Sequence, residues 1–551
     1  MPTAAPFPTL TRNTTERRST VRVTRSRAAA LAAAAVMLSG GCGGSSSGGA
    51  KGADADRFSV ALTEPDHLTP GNTSSDYSIT VLDTLFETPV SIDAASGKPV
   101  MRAAESVTST DQKVWTIKIR QGGAFGNGEP VTAQSFADSW NATAYGPNGW
   151  TNNYYFANIE GYDKLNPEKG DPSTDKLSGL KVVDDHTLEV TLTAPFSQFP
   201  ITLAYIAFAP MPKAAFADLK AYDQAPVGNG PFVLDGAWEH DRQIKVKRSP
   251  AYNGERRAKA GAVTFRIYAG RDTAYTDLRA GRVDLLTTIP PASTAEAQRL
   301  LGDRFLRTPD GTMDYLGFPT FDKRFANRDL RRAFSMAIDR KAIVDAVYDG
   351  AFKPMASLLA PLVPGYRENA CGEACAYDPA KAKALFDQAG GFSGTLTLWF
   401  SNADPSYEQW MTAVANQLKQ NLGISDIKLR KVPASDYLSS LRERKEDGPY
   451  RNNWVMDYPS PQDYLEYMWG AGNRMGWENK EFDDLIKQAN SAPGLDASLP
   501  LYQKAEDVAL AEMPMIPLWN WQNQVGYSTR ISGVNVTPYS KNLYAISVKQ
   551  G

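Results

Sequence analysis

The chain has 551 residues, which is more than a single hydrophobic core normally serves and enough for two or more lobes. Hydrophobic residues make up 42% and charged residues 22%, a composition typical of a folded globular protein. The net charge of −2 is unevenly distributed, because residues 1–41 hold six arginines and one acid while the rest holds 53 basic and 60 acidic residues. This mildly acidic body lacks the basic stripe that nucleic acid requires, so no nucleic-acid partner is expected.

The first predicted element is an export signal over residues 1–41. Ala28–Leu38 is an apolar run that follows three arginines and is too short to span a bilayer. Small residues and then Cys42 come next, and this order resembles a bacterial lipobox, in which the cysteine is acylated and becomes the mature N-terminus. The match is imperfect, because Leu38 lies four residues before the cysteine and the lipobox leucine usually lies three before. Gly43–Gly52 predicts a flexible tether between a membrane anchor and a domain.

Three other interpretations of this leader stay open. The signal is cleaved and Cys42 has no role in anchoring, or Arg17 and Arg18 belong to a twin-arginine signal. Alternatively, translation starts at Val21, which would leave VRVTRSR as the charged region and would account for the unusual length of the leader.

Cysteine usage agrees with export. Beyond Cys42 the chain has only Cys371 and Cys375, in the stretch ACGEACAYD. An even pair in an exported chain favours a disulfide that closes a small loop. A zinc site would need two further ligands, and the three histidines are distant in the sequence. The alternative to the disulfide is two free, buried thiols.

Strand and helix patterns alternate along the whole body, as they do in α/β proteins. In Val114–Arg120 the apolar residues Trp115, Ile117 and Ile119 share one face, which predicts a strand. The same period of two recurs in Leu188–Leu192, Ile244–Val246, Val263–Ile267 and Leu396–Phe400.

Three helices are predicted together with the residues at which they begin or end. Asp329–Ile338 carries one apolar stripe at helical spacing. Asp339 is expected to cap a second helix that stops at Gly350. A third should begin at Asp378 and Pro379 and end at Gly390.

Five segments, in collinear order, resemble the peptide-binding lipoproteins of ABC importers, that is, the oligopeptide- and dipeptide-binding proteins of solute-binding protein family 5. The segments are Trp115–Trp140, Pro226–Phe232 (PVGNGPF), Leu278–Leu285 (LRAGRVDL), Leu330–Tyr348 (LRRAFSMAIDRKAIVDAVY) and Trp454–Leu465 (WVMDYPSPQDYL). Each motif is weak alone, and their shared order carries the resemblance. It implies an α/β, two-lobed periplasmic-binding-protein-like fold of the larger (class II, cluster C) type, with an extra subdomain in the N-terminal lobe.

The resemblance also implies a division of the chain. Two chain crossings between the lobes are expected, near Arg307–Thr312 and Asn520–Tyr527, and the lobes should close over the ligand by a hinge motion. The expected parts are the signal peptide at 1–41, the tether at 42–53, the main domain of lobe I at 54–90, 205–308 and 525–551, its extra subdomain at 91–204, and lobe II at 309–524.

The ligand site is likewise implied by the family. The aspartate that matches Asp457 pairs with the α-ammonium of the peptide, and a buried amine without an opposite charge would cost several kcal/mol. The ligand is expected to run extended and to bond main chain to main chain, like an added strand. The other residues expected at the ligand are Asn453, Trp454 and Val455 in one lobe and Gly71 and Asn72 in the other.

Structural alternatives remain for these residues. Asp457 would otherwise cap the turn before Pro459. Arg331, Arg332 and Arg340 fit surface or structural ion pairs better than ligand contacts.

No nucleophile, zinc or phosphate-loop motif of an enzyme occurs in the sequence, so we expect no enzyme, no cofactor and no metal. Glycoside cleavage stays open as an enzymatic alternative, because 60 acidic residues offer many carboxylate pairs. The expected partners are a peptide ligand, ABC permease subunits and the membrane through the lipid anchor, with the protein itself a monomer. A sugar, a nickel chelate or an opine-like ligand, and a signalling receptor or adhesin, are the alternatives.

Overall fold

The computed structural model describes residues 56–290, 293–470 and 473–549. The predicted export signal, Cys42 and the tether therefore lie outside the described residues.

The described strands are mostly short, and two long ones stand out. These two, β12 and β17, have 13 residues each. The strands are β1 (Arg57–Leu62), β2 (Val90–Ile92), β3 (Pro99–Met101), β4 (Ala104–Thr108), β5 (Val114–Ile119), β6 (Leu180–Asp184), β7 (Thr187–Thr191), β8 (Phe232–Leu234), β9 (Gln243–Arg248), β10 (Ala262–Ile267), β11 (Leu285–Leu286), β12 (Phe305–Gly317), β13 (Lys353–Pro354), β14 (Leu396–Ser401), β15 (Ile427–Val432), β16 (Tyr450–Trp454), β17 (Met515–Tyr527), β18 (Ile531–Ser532) and β19 (Ser547–Val548).

The α-helices lie between these strands and are concentrated in the second half of the chain. They are α1 (Asp76–Leu85), α2 (Ala133–Ala144), α3 (Tyr162–Leu165), α4 (Phe199–Thr202), α5 (Leu219–Gln224), α6 (Arg271–Arg279), α7 (Thr294–Leu301), α8 (Arg328–Met336), α9 (Arg340–Tyr348), α10 (Pro379–Gln388), α11 (Pro405–Leu422), α12 (Ala434–Arg442), α13 (Pro461–Trp469), α14 (Lys480–Asn490) and α15 (Leu495–Glu512).

The predicted local elements are confirmed. In β5 the side chains of Trp115, Ile117 and Ile119 are buried, as the alternation requires. The carboxylate of Asp339 accepts a hydrogen bond from the backbone N–H of Ala342 and caps α9, and Asp378 caps α10 through Lys381 in the same way.

The largest sheet has the strand order β15-β14-β16-β12-β17-β11-β1-β10-β9-β8, with β13 paired to β17. It mixes parallel and antiparallel pairs, and β1 is parallel to both of its neighbours. A separate antiparallel sheet with the order β4-β5-β7-β6 packs with α2. This smaller sheet belongs to the region that was predicted to be an extra subdomain.

Buried hydrophobic side chains of the described residues form four clusters. One draws only on residues between Met313 and Trp519, and another only on residues between Val90 and Phe208. The other two include residues near the beginning of the body, and the larger of these also takes Ile531 and Ile546 from its end. The chain therefore begins in one core, passes through the others and returns to the first core near its C-terminal end.

Strands β12 and β17 connect these cores. Phe305–Pro309 pairs with Gln522–Gly526, Met313–Gly317 pairs with Met515–Asn520, and the register shifts between the two stretches. The irregular segment at Asp310–Thr312 thus divides the long ribbon into two halves, one for each core. The residue bounds of the lobes given above stay a prediction.

Candidate functional site

Asp457 lies in the turn between the end of β16 and the start of α13. The side chain is partly buried, and burial raises its pKa from 3.8 to about 6, although the nearby hydroxyls of Tyr155 and Tyr154 pull it down. No arginine or lysine of the described residues forms an ion pair with it. The carboxylate thus lies in a poorly solvated environment without a cation from the described residues.

A second carboxylate, Asp463, stands behind this turn in the first turn of α13 and is fully buried. Its Oδ2 accepts the indole N–H of Trp454 at 3.1 Å and the backbone N–H of Asp457 at 3.2 Å. Its Oδ1 is buried and has no hydrogen-bond partner among the described residues. Burial, and secondly the charge of Asp457, raise the pKa of Asp463 well above its ordinary value.

Three tyrosines face Asp457 from the other part of the chain. Tyr155 stacks on Tyr154 at 4.4 Å between ring centroids and on Tyr205 at 4.3 Å. Tyr154 remains 45% exposed, whereas the hydroxyl of Tyr155 is buried beside Asp457, where its interaction with the carboxylate lowers the pKa of Asp457. A buried hydroxyl and a carboxylate therefore converge on one position.

Gly71 and Asn72 belong to a short turn that Asn152 ties to the tyrosine segment. The amide of Asn152 donates to the carbonyls of Pro70 (3.0 Å) and Thr73 (2.7 Å), and its backbone N–H donates to the carbonyl of Gly71 (3.2 Å). The backbone N–H of Thr151 approaches Asn72 Oδ1 at 3.4 Å. These two predicted residues are thus held on the same side as Tyr154 and Tyr155.

Close packing requires a glycine at position 71. A Cβ at this position would lie 2.3 Å from Thr143 Oγ1 and 2.6 Å from the ring of Trp150. The glycine is needed so that the turn can pack against α2, and this packing explains the residue without a ligand contact.

Asn453, Trp454 and Val455 form the end of β16 and the residue after it. On one side β16 pairs with β12 as far as Trp454, whereas on the other side β14 meets it only at Tyr450. The backbone N–H of Asn453 donates to Asn452 Oδ1 at 2.9 Å. Val455 is 59% exposed. This end of β16 therefore presents an open strand edge beside Asp457.

The site also adjoins the irregular segment of β12. The Tyr464 hydroxyl donates to the carbonyl of Gly311 at 2.5 Å, and a Cβ at Gly311 would lie 2.4 Å from the side chain of Met456. Residues on both sides of Asp457 therefore pack on the point where the long ribbon changes register.

A second polar cluster, which the sequence did not indicate, lies further back on β16. Arg451 donates to Asp314 at 2.6 Å, and the indole N–H groups of Trp519 and Trp521 donate to the same carboxylate at 2.9 and 2.6 Å. The guanidinium lies 3.7 Å from the ring centre of Tyr407. This buried acid is supplied with a cation and two donors by the protein itself.

Two of the three arginines that the motifs single out are buried and have structural roles. Arg331 donates to backbone carbonyls that include Phe325 and Met513, and Arg340 donates to those of Pro517 and Cys375. Both guanidinium groups donate mainly to backbone carbonyls. The expected structural role was an ion pair with a carboxylate. Arg332 approaches Asp329 at 3.8 Å and stays partly exposed.

Cys371 and Cys375 flank a single turn of 3-10 helix. Their Sγ atoms lie 1.96 Å apart and their Cα atoms 5.6 Å apart, as in a disulfide. Within the part of the chain that the structure describes, no helix has the length and apolar character needed to cross a bilayer.

These features define a two-lobed α/β protein that holds an acidic, aromatic site beside an open strand edge. The model of the bacterial extracellular solute-binding proteins, family 5, matches residues 98–476. The chain therefore belongs to this family, and its fold is the larger two-lobed form with an extra subdomain.

Individual relatives agree with this assignment. The chain is 28% identical over 477 residues to the dipeptide-binding protein DppE of Bacillus subtilis, covering 80% of this chain and 85% of the relative. It is 28% identical over 500 residues to the oligopeptide-binding protein OppA of the same organism, with 88% and 90% covered. Among solved structures, the unliganded open form of the periplasmic murein tripeptide-binding protein MppA of Escherichia coli superposes with a TM-score of 0.77 at 24% identity, covering 90% and 97%.

Proposed function

We propose that this protein is an extracytoplasmic solute-binding lipoprotein that captures an extended peptide between its two lobes and delivers it to the permease subunits of an ABC importer. The names of its relatives, which bind dipeptides and oligopeptides, support the class of ligand. The observation that carries the proposal is Asp457, a partly buried carboxylate that no cation of the described residues neutralises.

The α-ammonium of a peptide supplies what this site lacks. It brings a positive charge to Asp457, which the described residues do not neutralise. A sugar offers hydroxyl donors without a charge, so the carboxylate would remain unneutralised. The site therefore favours a cationic amine over a neutral solute.

The rest of the peptide would continue along the open edge of β16. β14 meets β16 only at Tyr450, so a peptide strand could pair with the later part of β16 without any reading of its side chains. Gly71 and Asn72 would border the ligand from the opposite lobe, through the turn that Asn152 holds. Binding contributes to closure only through contacts that differ between the open and the closed form.

The experiment that tests the ligand class is mass spectrometry of small molecules that are released when the purified protein is denatured. We expect peptides with free amino termini and mixed sequences. A sugar or a metal chelate as the only bound molecule would refute a peptide ligand.

The lipid anchor is part of the proposal and rests on the sequence. Cys42 follows an apolar run and small residues and precedes the tether, so we expect diacylglycerol on its sulfur and attachment to the outer face of the cytoplasmic membrane. Cys42→Ala should move the protein from the membrane fraction to the medium, and Ser46→Ala in the tether is the matched control. An unchanged membrane fraction for Cys42→Ala would contradict the anchor. We also infer that the protein acts as a monomer and has no catalytic function.

A further inference from the structure

A group of four buried polar residues lies close to the turn of Asp457, and we call it the Gln198 cluster. Its members are Ser197, Gln198, Ser460 and Ser498. The side-chain amide of Gln198 accepts a hydrogen bond from the Ser460 hydroxyl at 2.9 Å and donates one to the Ser498 hydroxyl at 2.9 Å. It also donates to the Ser197 hydroxyl at 3.1 Å. None of the four residues is more than 3% exposed, so these hydrogen bonds are shielded from solvent.

Ser197 connects the cluster to the end of α14. Its backbone N–H donates to the carbonyl of Asn490 at 2.7 Å, and its hydroxyl donates to the carbonyl of Ala489 at 3.1 Å. The carbonyls of a last helical turn lack donors within their own helix, so this helix end takes two hydrogen bonds from a distant part of the chain.

The cluster joins two parts of the chain that have separate hydrophobic cores. Ser197 and Gln198 lie in the stretch that forms the core between Val90 and Phe208, whereas their partners lie in the stretch that forms the core between Met313 and Trp519. Neither of these two clusters of described residues takes a member from the other stretch. The contact at Gln198 is therefore polar, and a polar interface can separate because water can replace its hydrogen bonds.

The cluster also adjoins the proposed ligand site. Ser460 caps the start of α13 and lies three residues after Asp457. Phe199, the neighbour of Gln198, lines one small cavity together with Tyr155 and Tyr458. A motion that moves Asp457 away from Tyr155 to admit a ligand would therefore also separate the partners within the Gln198 cluster.

We propose that the Gln198 cluster forms when the two lobes close over the ligand and breaks when they open, so that Gln198 slows the escape of the ligand. The inference rests on the proposed function, because it needs a ligand that is held between the lobes. Gln198 acts as a positioning residue, since it reaches the turn of Asp457 only through Ser460. Contacts that exist in the closed form alone stabilise that form and lengthen the lifetime of the bound state.

The test is a stopped-flow measurement, by intrinsic tryptophan fluorescence, of the rates at which alanine tetrapeptide binds and leaves the wild type, Gln198→Ala and Ser498→Ala. Each substitution leaves polar groups unpaired in the closed form, whereas water can satisfy them in the open form. We expect the dissociation rate to rise about tenfold for Gln198→Ala and by a smaller factor for Ser498→Ala. The association rate should change by less than about twofold, because the cluster forms after the encounter.

Lys98→Met is the matched control. Lys98 and Asp496 join the same two stretches of the chain through an exposed ion pair at 2.9 Å. Exposed pairs contribute little, so this variant should keep the wild-type rates. Ser498→Ala removes a single hydroxyl from a helix, and it carries the test by itself if Gln198→Ala does not fold.

Hydrogen exchange distinguishes a contact that opens from a permanent one. The backbone N–H of Ser197 donates across the contact, so its exchange reports separation of the two parts. Mass spectrometry of peptides that contain Ser197 should show slower exchange of the wild type with saturating tetrapeptide than without it. Equal exchange in the two states would mean that the contact is permanent and would overturn the proposal, even if both variants are less stable than the wild type.

The outcomes separate this inference from the proposed function. Tetrapeptide binding with wild-type dissociation rates in both variants would overturn the role of Gln198 and leave peptide capture standing. Absence of tetrapeptide binding to the wild type would overturn both.

Discussion

Two acid clusters adjoin β16, one around Asp314 of β12 and one in the segment that follows β16, and they differ in one respect. Asp314 has its cation within the protein, since Arg451 and two indole N–H groups satisfy it. Asp457 and Asp463 have no such cation among the described residues. The first arrangement is complete without a ligand and serves the fold, whereas we propose that the second is completed by the positive charge of a ligand. A buried charge alone is therefore a poor indicator of a functional site. A buried charge that lacks a counter-charge is a better indicator.

The largest effect is expected when the cluster around Asp314, here called the complete cluster, is broken. Arg451→Met keeps the size of the side chain but leaves Asp314 buried without its cation, so the free energy of unfolding should fall by about 3–5 kcal/mol. Denaturant unfolding of the ligand-free protein measures this, with Lys480→Met as a control that breaks an exposed pair. A loss for Arg451→Met no larger than that of the control would show that the buried pair does not support the fold.

In the cluster of Asp457 and Asp463, here called the open cluster, a substitution should affect ligand affinity and not stability. Asp457→Asn removes the proposed partner of the ligand, so peptide affinity should fall by about 2–5 kcal/mol, while the unfolding free energy should not fall, because the cation belongs to the ligand. Calorimetric Kd values for a peptide with a free amino terminus and for its N-acetylated form make a double-mutant cycle. The acetylated peptide should bind the wild type poorly and respond little to the substitution. Equal losses for the two peptides would mean that Asp457 only shapes its turn.

The sequence predicted the parts of the molecule that depend on neighbours along the chain. The alternation in β5 and the caps at Asp339 and Asp378 are local patterns, and the structure has them as expected. Asp457 was indicated by a motif of a family, and its environment could not be read from its neighbours in sequence.

The rest of the site depends on distant segments. Tyr154 and Tyr155 precede Asp457 by about 300 residues and look in sequence like ordinary core aromatics. Asp463 is indistinguishable from a helix-start acid, and the pairing of Arg451 with Asp314 requires the register between β16 and β12. One sequence signal could have indicated Asp463. It lies six residues after Asp457, within the same motif segment Trp454–Leu465.

The disulfide supplies a third point of comparison, because its cysteines belong to the hydrophobic cluster between Met313 and Trp519 and lie in neither acid cluster. The loop between Cys371 and Cys375 is small, so replacing both with serine should lower the unfolding free energy by only about 1–3 kcal/mol. Peptide affinity should be unchanged. Thiol titration of the unfolded mature protein without reductant should find no free thiol at these positions, and two reactive thiols per chain would show that the bridge does not form.

The smallest expected effect concerns the stability of the ligand-free protein against pH. The pKa of Asp457 is raised from 3.8 to about 6 in the folded state, so folding favours the protonated form. Its contribution to stability is complete below pH 4 and is lost as the pH rises through about 6, which is the opposite of the usual carboxylate. In Asp457→Asn this contribution cannot titrate.

The wild type should therefore lose about 1–2 kcal/mol of unfolding free energy relative to Asp457→Asn between pH 4.5 and pH 7. Urea unfolding of both proteins at several pH values measures the difference, and the titrating groups that do not interact with Asp457 cancel in it because the two chains share them. A saturating peptide should remove the difference at pH 7, since its ammonium then stabilises the ionised carboxylate. Parallel curves for the two proteins would mean that water or a bound cation already compensates Asp457, and the contrast between the two acid clusters would lose its physical basis.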